Sequence, residues 1–239
     1  MSSAAGFDFG QFDPVILIFM SVLALSVLLY ELKRHGEHAA RLLMSGIAVA
    51  GVLSGLILLQ LWMEPYIGGG AAFYLLAAPL AYIGLYSSFR YYTGSLSERQ
   101  AGLLLTVSAA LLGSMLGTFF PTTFTLVLLV ALSFLDVVFI EANILGRTVG
   151  LQRISSLLSV TTLPISEFGV GLGDLLVYSV LVTSSFIRGG AYVALATVAL
   201  ILLGVIATIR ITKTRHTVAG LPIPILLGLA PTILTFTLT

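Results

Sequence analysis

The sequence predicts an all-α, multi-pass membrane protein with about eight transmembrane helices. Three observations support this fold class: 58% of the 239 residues are hydrophobic, only 9% are charged, and the apolar residues form long runs. Soluble domains carry about 25% charged residues, so this composition suits lipid rather than water. The net charge of +1, without a Lys/Arg-rich run, also excludes a nucleic-acid partner.

The apolar runs divide the chain into about eight spans, since a hydrocarbon core of about 30 Å needs roughly 20 apolar residues per helix. Turn-forming residues separate several of them, namely Gly68–Gly70, Pro121 and Gly189–Gly190. The predicted spans are Pro14–Tyr30, Ala39–Met63, Ala71–Ser88, Ala101–Phe119, Thr122–Leu145, Ile165–Ile187, Ala191–Ile211 and Ile223–Leu238.

Basic residues predict the orientation of these spans. Ten of the eleven lie in the loops after spans one, three, five and seven, whereas Arg188 lies on the opposite side. Loops rich in Lys and Arg stay inside, which places both termini outside. No basic residue precedes the first apolar run, so we expect it to be a retained helix rather than a cleaved signal peptide.

Two acids fall inside predicted spans. Asp136 lies 11 residues before Arg147, and Asp174 lies 10 residues beyond Pro164. At about 1.5 Å per helical residue, both carboxyls should lie about 15 Å from the inner side, near mid-membrane. An acid at that depth marks a functional site by default. The pair fits acid–base catalysis or ion coupling, and a purely structural role for two protonated acids stays open.

Catalysis by such a pair has a known form. Two carboxyls a few ångströms apart share one proton, so that the ionised one deprotonates water while the protonated one polarises a peptide carbonyl. Other intramembrane hydrolases need residues that are missing here. The run His35–His38 lacks the spacing of a zinc protease, and no histidine lies at membrane depth to activate a serine.

A longer run around Asp174 resembles a known family. Residues Gly171–Val182, GLGDLLVYSVLV, closely resemble the presenilin helix that carries the GxGD aspartate. Asp136 falls where presenilins have their first catalytic aspartate, although the family has Tyr-Asp there and this chain has Leu135-Asp136. The run Ala219–Ile223 corresponds to the family's Pro-Ala-Leu motif and keeps its Leu-Pro.

The resemblance implies an intramembrane aspartyl protease of the presenilin and signal peptide peptidase family, with Asp136 and Asp174 as its catalytic pair. It implies a presenilin-like bundle lacking one N-terminal helix, in which residues 1–121 form about four helices and residues 122–239 form the catalytic half. The expected partners are transmembrane protein substrates in a prokaryotic plasma membrane. Neither a metal nor an organic cofactor is expected.

Substrate binding is predicted in three segments. The resemblance implies that Gly220, Leu221 and Pro222 position the substrate beside the aspartates. Because Gly171 and Gly173 lack side chains, a substrate backbone can approach Asp174 around Leu172. The run Ser159–Leu163 is rich in β-branched residues and precedes Pro164, which predicts a strand or loop. We expect the strand edge at Thr161 and Thr162 to pair with unwound substrate.

Two other functions fit part of the pattern. A prepilin or preflagellin peptidase is also a GxGD aspartyl membrane protease, but its aspartates are expected to be shallower, beside an inner loop. A proton- or cation-coupled transporter would use the two acids to bind its ion, although the two halves of the chain show no symmetry. A scaffold without catalytic activity is a third alternative.

Overall fold

The computed structural model describes residues 37–67, 71–141, 162–165, 168–212 and 220–238. Predicted span one, Pro14–Tyr30, lies outside these residues, as does the turn at Gly68–Gly70. The described elements, in chain order, are α1 (Glu37–Ile67), α2 (Ala71–Tyr92), α3 (Glu98–Phe119), α4 (Thr122–Glu141), β1 (Thr162–Ile165), β2 (Phe168–Gly171), α5 (Leu172–Thr212) and α6 (Pro222–Leu238).

Three of the described helices are long and apolar enough to cross a membrane. They are Arg41–Tyr66 within α1, the whole of α3 and the whole of α5. Shorter apolar stretches occupy α4 and α6, at Thr123–Val138 and Pro222–Thr235. These helices indicate a membrane protein, whereas the number of about eight spans and the orientation of the termini stay predictions.

Local sequence explains where the helices begin and end. The Ser97 hydroxyl accepts the Gln100 N–H at 3.4 Å, and the Gln100 side chain accepts the Ser97 N–H at 3.2 Å, a capping box that starts α3. Pro121 separates α3 from α4. Gly190 has a φ of 74°, which glycine adopts without steric cost, and it breaks α5 into two halves that correspond to predicted spans six and seven.

The predicted start of span six is wrong. Ile165 is the last residue of β1, which pairs antiparallel with β2 so that Ile165 lies opposite Phe168. Pro164 and the glycines up to Gly171 disfavour a helix, and the helix begins only at Leu172. The described chain is therefore helical, as predicted, with one short hairpin where the start of span six was expected.

Two glycines of α3 bring its backbone against α5. A Cβ at Gly113 would overlap the carbonyl oxygen of Leu176, and a Cβ at Gly117 would lie 2.5 Å from the carbonyl oxygen of Val180. The four-residue spacing places both glycines on one face of α3, the arrangement that allows close helix packing in lipid. The first half of α5, which carries Asp174, is thereby fixed by direct backbone contact.

Helices α4, α5 and α6 share one buried apolar cluster. It contains residues from both halves of α5, so the kink at Gly190 folds the two halves onto the same core. Its buried members are Leu129, Val177, Val180, Leu181, Ile201, Leu221, Ile225 and Leu229. Leu221 places the segment before α6 at the edge of this cluster, next to the helices that carry the two acids.

A hydroxyl cluster, formed by Ser185, Thr197 and Thr232, ties the two halves of α5 to α6. The Ser185 and Thr232 hydroxyls are 2.8 Å apart, and the Thr197 hydroxyl donates to that of Ser185 at 3.2 Å. Ser185 and Thr197 are fully buried, and Thr232 is 4% exposed. Hydrogen bonds between helices of this kind contribute to packing in lipid, where water is absent.

Candidate active site

Asp174 lies in the first turn of α5, directly after the hairpin. Strand β2 ends at Gly171 and the helix begins at Leu172, so Asp174 is the third helical residue. Its carboxylate accepts a hydrogen bond from the backbone of Gly171. The N–H groups at the start of a helix have no acceptor within the helix, and the carboxylate supplies one. The junction between strand and helix thus orients the side chain.

The junction also shows that the predicted position of Asp174, ten helical residues beyond Pro164, is wrong. The expected helical rise of about 15 Å from Pro164 is absent, because the chain reverses in the hairpin between these residues. Thr162, at the start of β1, lies opposite Gly171 at the end of β2. Asp174 therefore lies at a helix start beside a hairpin, not in the middle of a continuous helix.

Asp136 reaches the same region from α4. It lies five residues before Glu141, where that helix ends, and its Oδ2 accepts the backbone N–H of Leu221 at 3.0 Å. Leu221 directly precedes the first residue of α6, so its N–H has no acceptor within that helix and is available to the carboxylate. The positive end of the helix dipole favours a carboxylate there.

The segment Gly220–Leu221 touches the second acid as well. A Cβ added at Gly220 would lie 3.2 Å from Asp174 Oδ2, so the Gly220 backbone lies directly beside that carboxylate. A side chain at this position would crowd the acid, and glycine avoids this. Asp136 and Asp174 also lie close enough to interact electrostatically. One two-residue segment therefore adjoins both carboxylates.

The predicted substrate-binding residues differ in how close they lie to Asp174 and in how exposed they are. Gly173 is exposed and a Cβ there would meet nothing within 4 Å, which leaves open space next to Asp174. Leu172 is buried in a cluster with Met44, Ala48 and Leu105, where it anchors the start of α5. Pro222 begins α6 and Thr162 begins β1. Thr161 and Ala219 lie outside the described residues.

Tyr178 is a site residue that the sequence reasoning missed. It lies four residues after Asp174, and its hydroxyl donates to the carbonyl oxygen of Gly220 at 3.4 Å. Both acids lie within electrostatic range of this hydroxyl. A signal was present in the sequence, because residues four apart share one face of a helix.

A cavity of about 270 Å³ lies beside the acids rather than between them. Tyr178 and Leu175 line one side, and Val198, Ile201 and Leu202 from the second half of α5 line another. Neither aspartate lines it, and its wall is mostly apolar. The chemistry of the site therefore belongs to the carboxylates and the segment Gly220–Leu221, not to this cavity.

No protein-family model and no curated protein matches the chain. The relation to presenilins therefore depends on the sequence motifs around Asp136, Asp174 and Leu221.

Proposed function

We propose that the protein is an intramembrane aspartyl protease of the presenilin type. It hydrolyses peptide bonds within transmembrane segments of other proteins, and it uses Asp136, Asp174 and a water molecule. The observation that carries this proposal is the meeting of the two acids, 38 positions apart in the chain, at the backbone of Gly220–Leu221. Carboxyls held together in a membrane protein are suited to acid–base work.

The chemistry needs one ionised and one protonated carboxyl. The ionised carboxyl takes a proton from water as the water oxygen attacks the carbonyl carbon of the scissile bond, while the protonated carboxyl donates to the carbonyl oxygen. Transfer of a proton to the leaving nitrogen then breaks the C–N bond. The water supplies the new hydroxyl group, so the reaction requires no metal or organic cofactor.

The β-hairpin supports a mode of substrate binding. A transmembrane helix must be unwound before its peptide bonds can be attacked, and the unwound backbone needs hydrogen-bond partners at membrane depth. Within the described residues β1 and β2 pair only with each other, so each keeps an outer edge. We propose that substrate pairs with the edge of β1 from Thr162 onward and reaches Asp174 past Gly173. The sequence predicts that Thr161 extends this edge.

The predicted orientation limits the substrates. If both termini lie outside, α4 runs from outside to inside and the catalytic helices have the orientation of presenilin. The preferred substrates are then single-pass proteins with an outside N-terminus, in a prokaryotic plasma membrane. The basic residues of the loops carry this part of the proposal.

One observation favours a second candidate, a prepilin or preflagellin type of peptidase. Asp174 lies in the first turn of its helix, directly after the hairpin, and an aspartate beside a non-helical segment is expected of an enzyme that cuts near the membrane surface. The two candidates share the aspartyl chemistry and differ in the bond they cleave. A peptide that carries both a transmembrane and a juxtamembrane segment distinguishes them.

The test uses the purified full chain in lipid vesicles with such a peptide, in water enriched in ¹⁸O. Mass spectrometry should find paired fragments cut within the transmembrane segment, with one ¹⁸O atom in the new carboxyl group. Cuts confined to the juxtamembrane segment would favour the second candidate. Several peptides of different sequence are tested in vesicles in which the protein is folded. If all of them stay intact, both protease candidates are contradicted and ion transport becomes the function to test.

A further inference from the structure

One peptide group links the two catalytic helices. Its C=O belongs to Gly220 and accepts the hydroxyl proton of Tyr178 at 3.4 Å. Its N–H belongs to Leu221 and donates to Asp136 Oδ2 at 3.0 Å. The C=O and N–H of a trans peptide point in opposite directions, so Tyr178 and Asp136 hold it from two sides.

The same peptide group adjoins Asp174 through the Gly220 Cα. A Cβ there would lie 3.2 Å from Asp174 Oδ2, so a small rotation of the peptide changes the space around this acid. Tyr178 itself is carried one turn beyond Asp174 on α5, whose backbone is fixed against Gly113 and Gly117. Its hydroxyl is therefore a fixed reference point for the Gly220–Leu221 peptide.

We propose that Tyr178 is a positioning residue of the active site. Its hydroxyl fixes the Gly220–Leu221 peptide so that the Leu221 N–H points at Asp136 while the Gly220 Cα stays beside Asp174. A donor held in this way polarises the peptide and strengthens its N–H as a partner for the ionised carboxylate. This inference rests on the proposed proteolytic function and assigns a role within it.

The length of the hydrogen bond from Tyr178 to Gly220 indicates how much the cleavage rate should depend on it. An O–H···O bond is typically about 2.8 Å long, so a contact of 3.4 Å is weak in this state. Catalytic contacts are often long without substrate and shorten in the substrate complex. A neutral hydrogen bond of ordinary strength corresponds to about a fivefold change in rate.

The test replaces Tyr178 by phenylalanine, which removes the hydroxyl and keeps the ring. We expect kcat to fall about fivefold with KM unchanged, because substrate binding does not involve this hydroxyl.

Tyr192→Phe is the matched control, because Tyr192 lies on the same helix beyond the kink and is 90% exposed. Its kcat and KM should equal those of the wild type. If Tyr178→Phe lowers only the melting temperature, or raises KM without an effect on kcat, the role is structural and the proposal is wrong. A wild-type protein that cleaves nothing would instead overturn the proposed function, which keeps the two failures separate.

Discussion

Two polar regions adjoin both α5 and α6, and they are built differently. In the hydroxyl cluster, Ser185 donates to the carbonyl oxygen of Leu181 at 2.8 Å and accepts from Thr197 and Thr232. A hydroxyl has one donor and two acceptor sites, so all of the bonding capacity of Ser185 is used. At the acids, Asp136 and Asp174 each accept one backbone hydrogen bond within the described residues and are only half-buried.

The difference separates a structural polar group from one that is available for chemistry. A carboxylate has about four acceptor sites, so one backbone bond leaves capacity for water and substrate. The glycines at 171, 173 and 220 keep side chains away from Asp174, whereas Ser185, Thr197 and Thr232 are buried against one another. At Ser185 every donor and acceptor site is used, which stabilises the fold. At the two carboxylates acceptor sites stay available, which is what we expect of an active site.

The largest effect that follows from this comparison concerns pH. The acids titrate and the hydroxyl cluster does not, so cleavage should follow a bell-shaped pH profile because one carboxyl must be ionised and the other protonated. Two pH units beyond either limb, we expect the rate to be about a hundredfold below its maximum. Rates are measured from pH 3 to 9, with circular dichroism as the check that the fold persists. A flat profile in folded protein would contradict a shared-proton pair.

A smaller effect is expected from the helix that supports the acid site. Gly113→Ala places a methyl group on the carbonyl oxygen of Leu176, two residues beyond Asp174, and must displace α5. Overpacking of this kind costs about 1–3 kcal/mol, and we expect kcat to fall about tenfold. Gly46→Ala is the matched control, since a Cβ at Gly46 meets nothing within 4 Å. Equal cleavage rates in the two variants would show that the position of α5 does not depend on this contact.

The smallest effect on activity is expected from the hydroxyl cluster. Ser185→Ala leaves the Thr197 and Thr232 hydroxyls without their shared partner, and we expect a loss of about 1 kcal/mol in stability with a cleavage rate within about twofold of the wild type. Ser54→Ala is the control, because the buried Ser54 hydroxyl donates to Ala50 within its own helix. Thermal unfolding should show the larger shift for Ser185→Ala. A larger loss of activity than of stability would give this cluster a functional role.

Much of the helical framework follows from the sequence, because long apolar runs between turn residues have one plausible structure in lipid. The predicted start of Ala71–Ser88 and the end of Ala101–Phe119 agree with α2 and α3, and Gly189–Gly190 locates the break in α5. The hairpin was harder to place. Thr162–Gly171 is short and apolar, and periodicity alone does not separate a strand from the beginning of a helix.

The arrangement of the acid site was only partly predictable. The motif predicted Asp174 and its glycines, but the hydrogen bond from Leu221 to Asp136 joins residues 85 positions apart. Such a contact depends on how α4, α5 and α6 pack, which no local pattern specifies. The same is true of Tyr178, whose partner Gly220 is 42 positions away.

The joint action of the two aspartates is tested by comparing cleavage by the wild type, Asp136→Asn, Asp174→Asn and the double variant in the same vesicles. Asparagine keeps the size of the side chain and can still accept a backbone N–H, so the fold should persist. We predict that each single change abolishes cleavage and that the double variant is no worse, because members of one catalytic unit are not additive. Wild-type rates of proteolysis by a folded Asp136→Asn or Asp174→Asn protein would contradict the account.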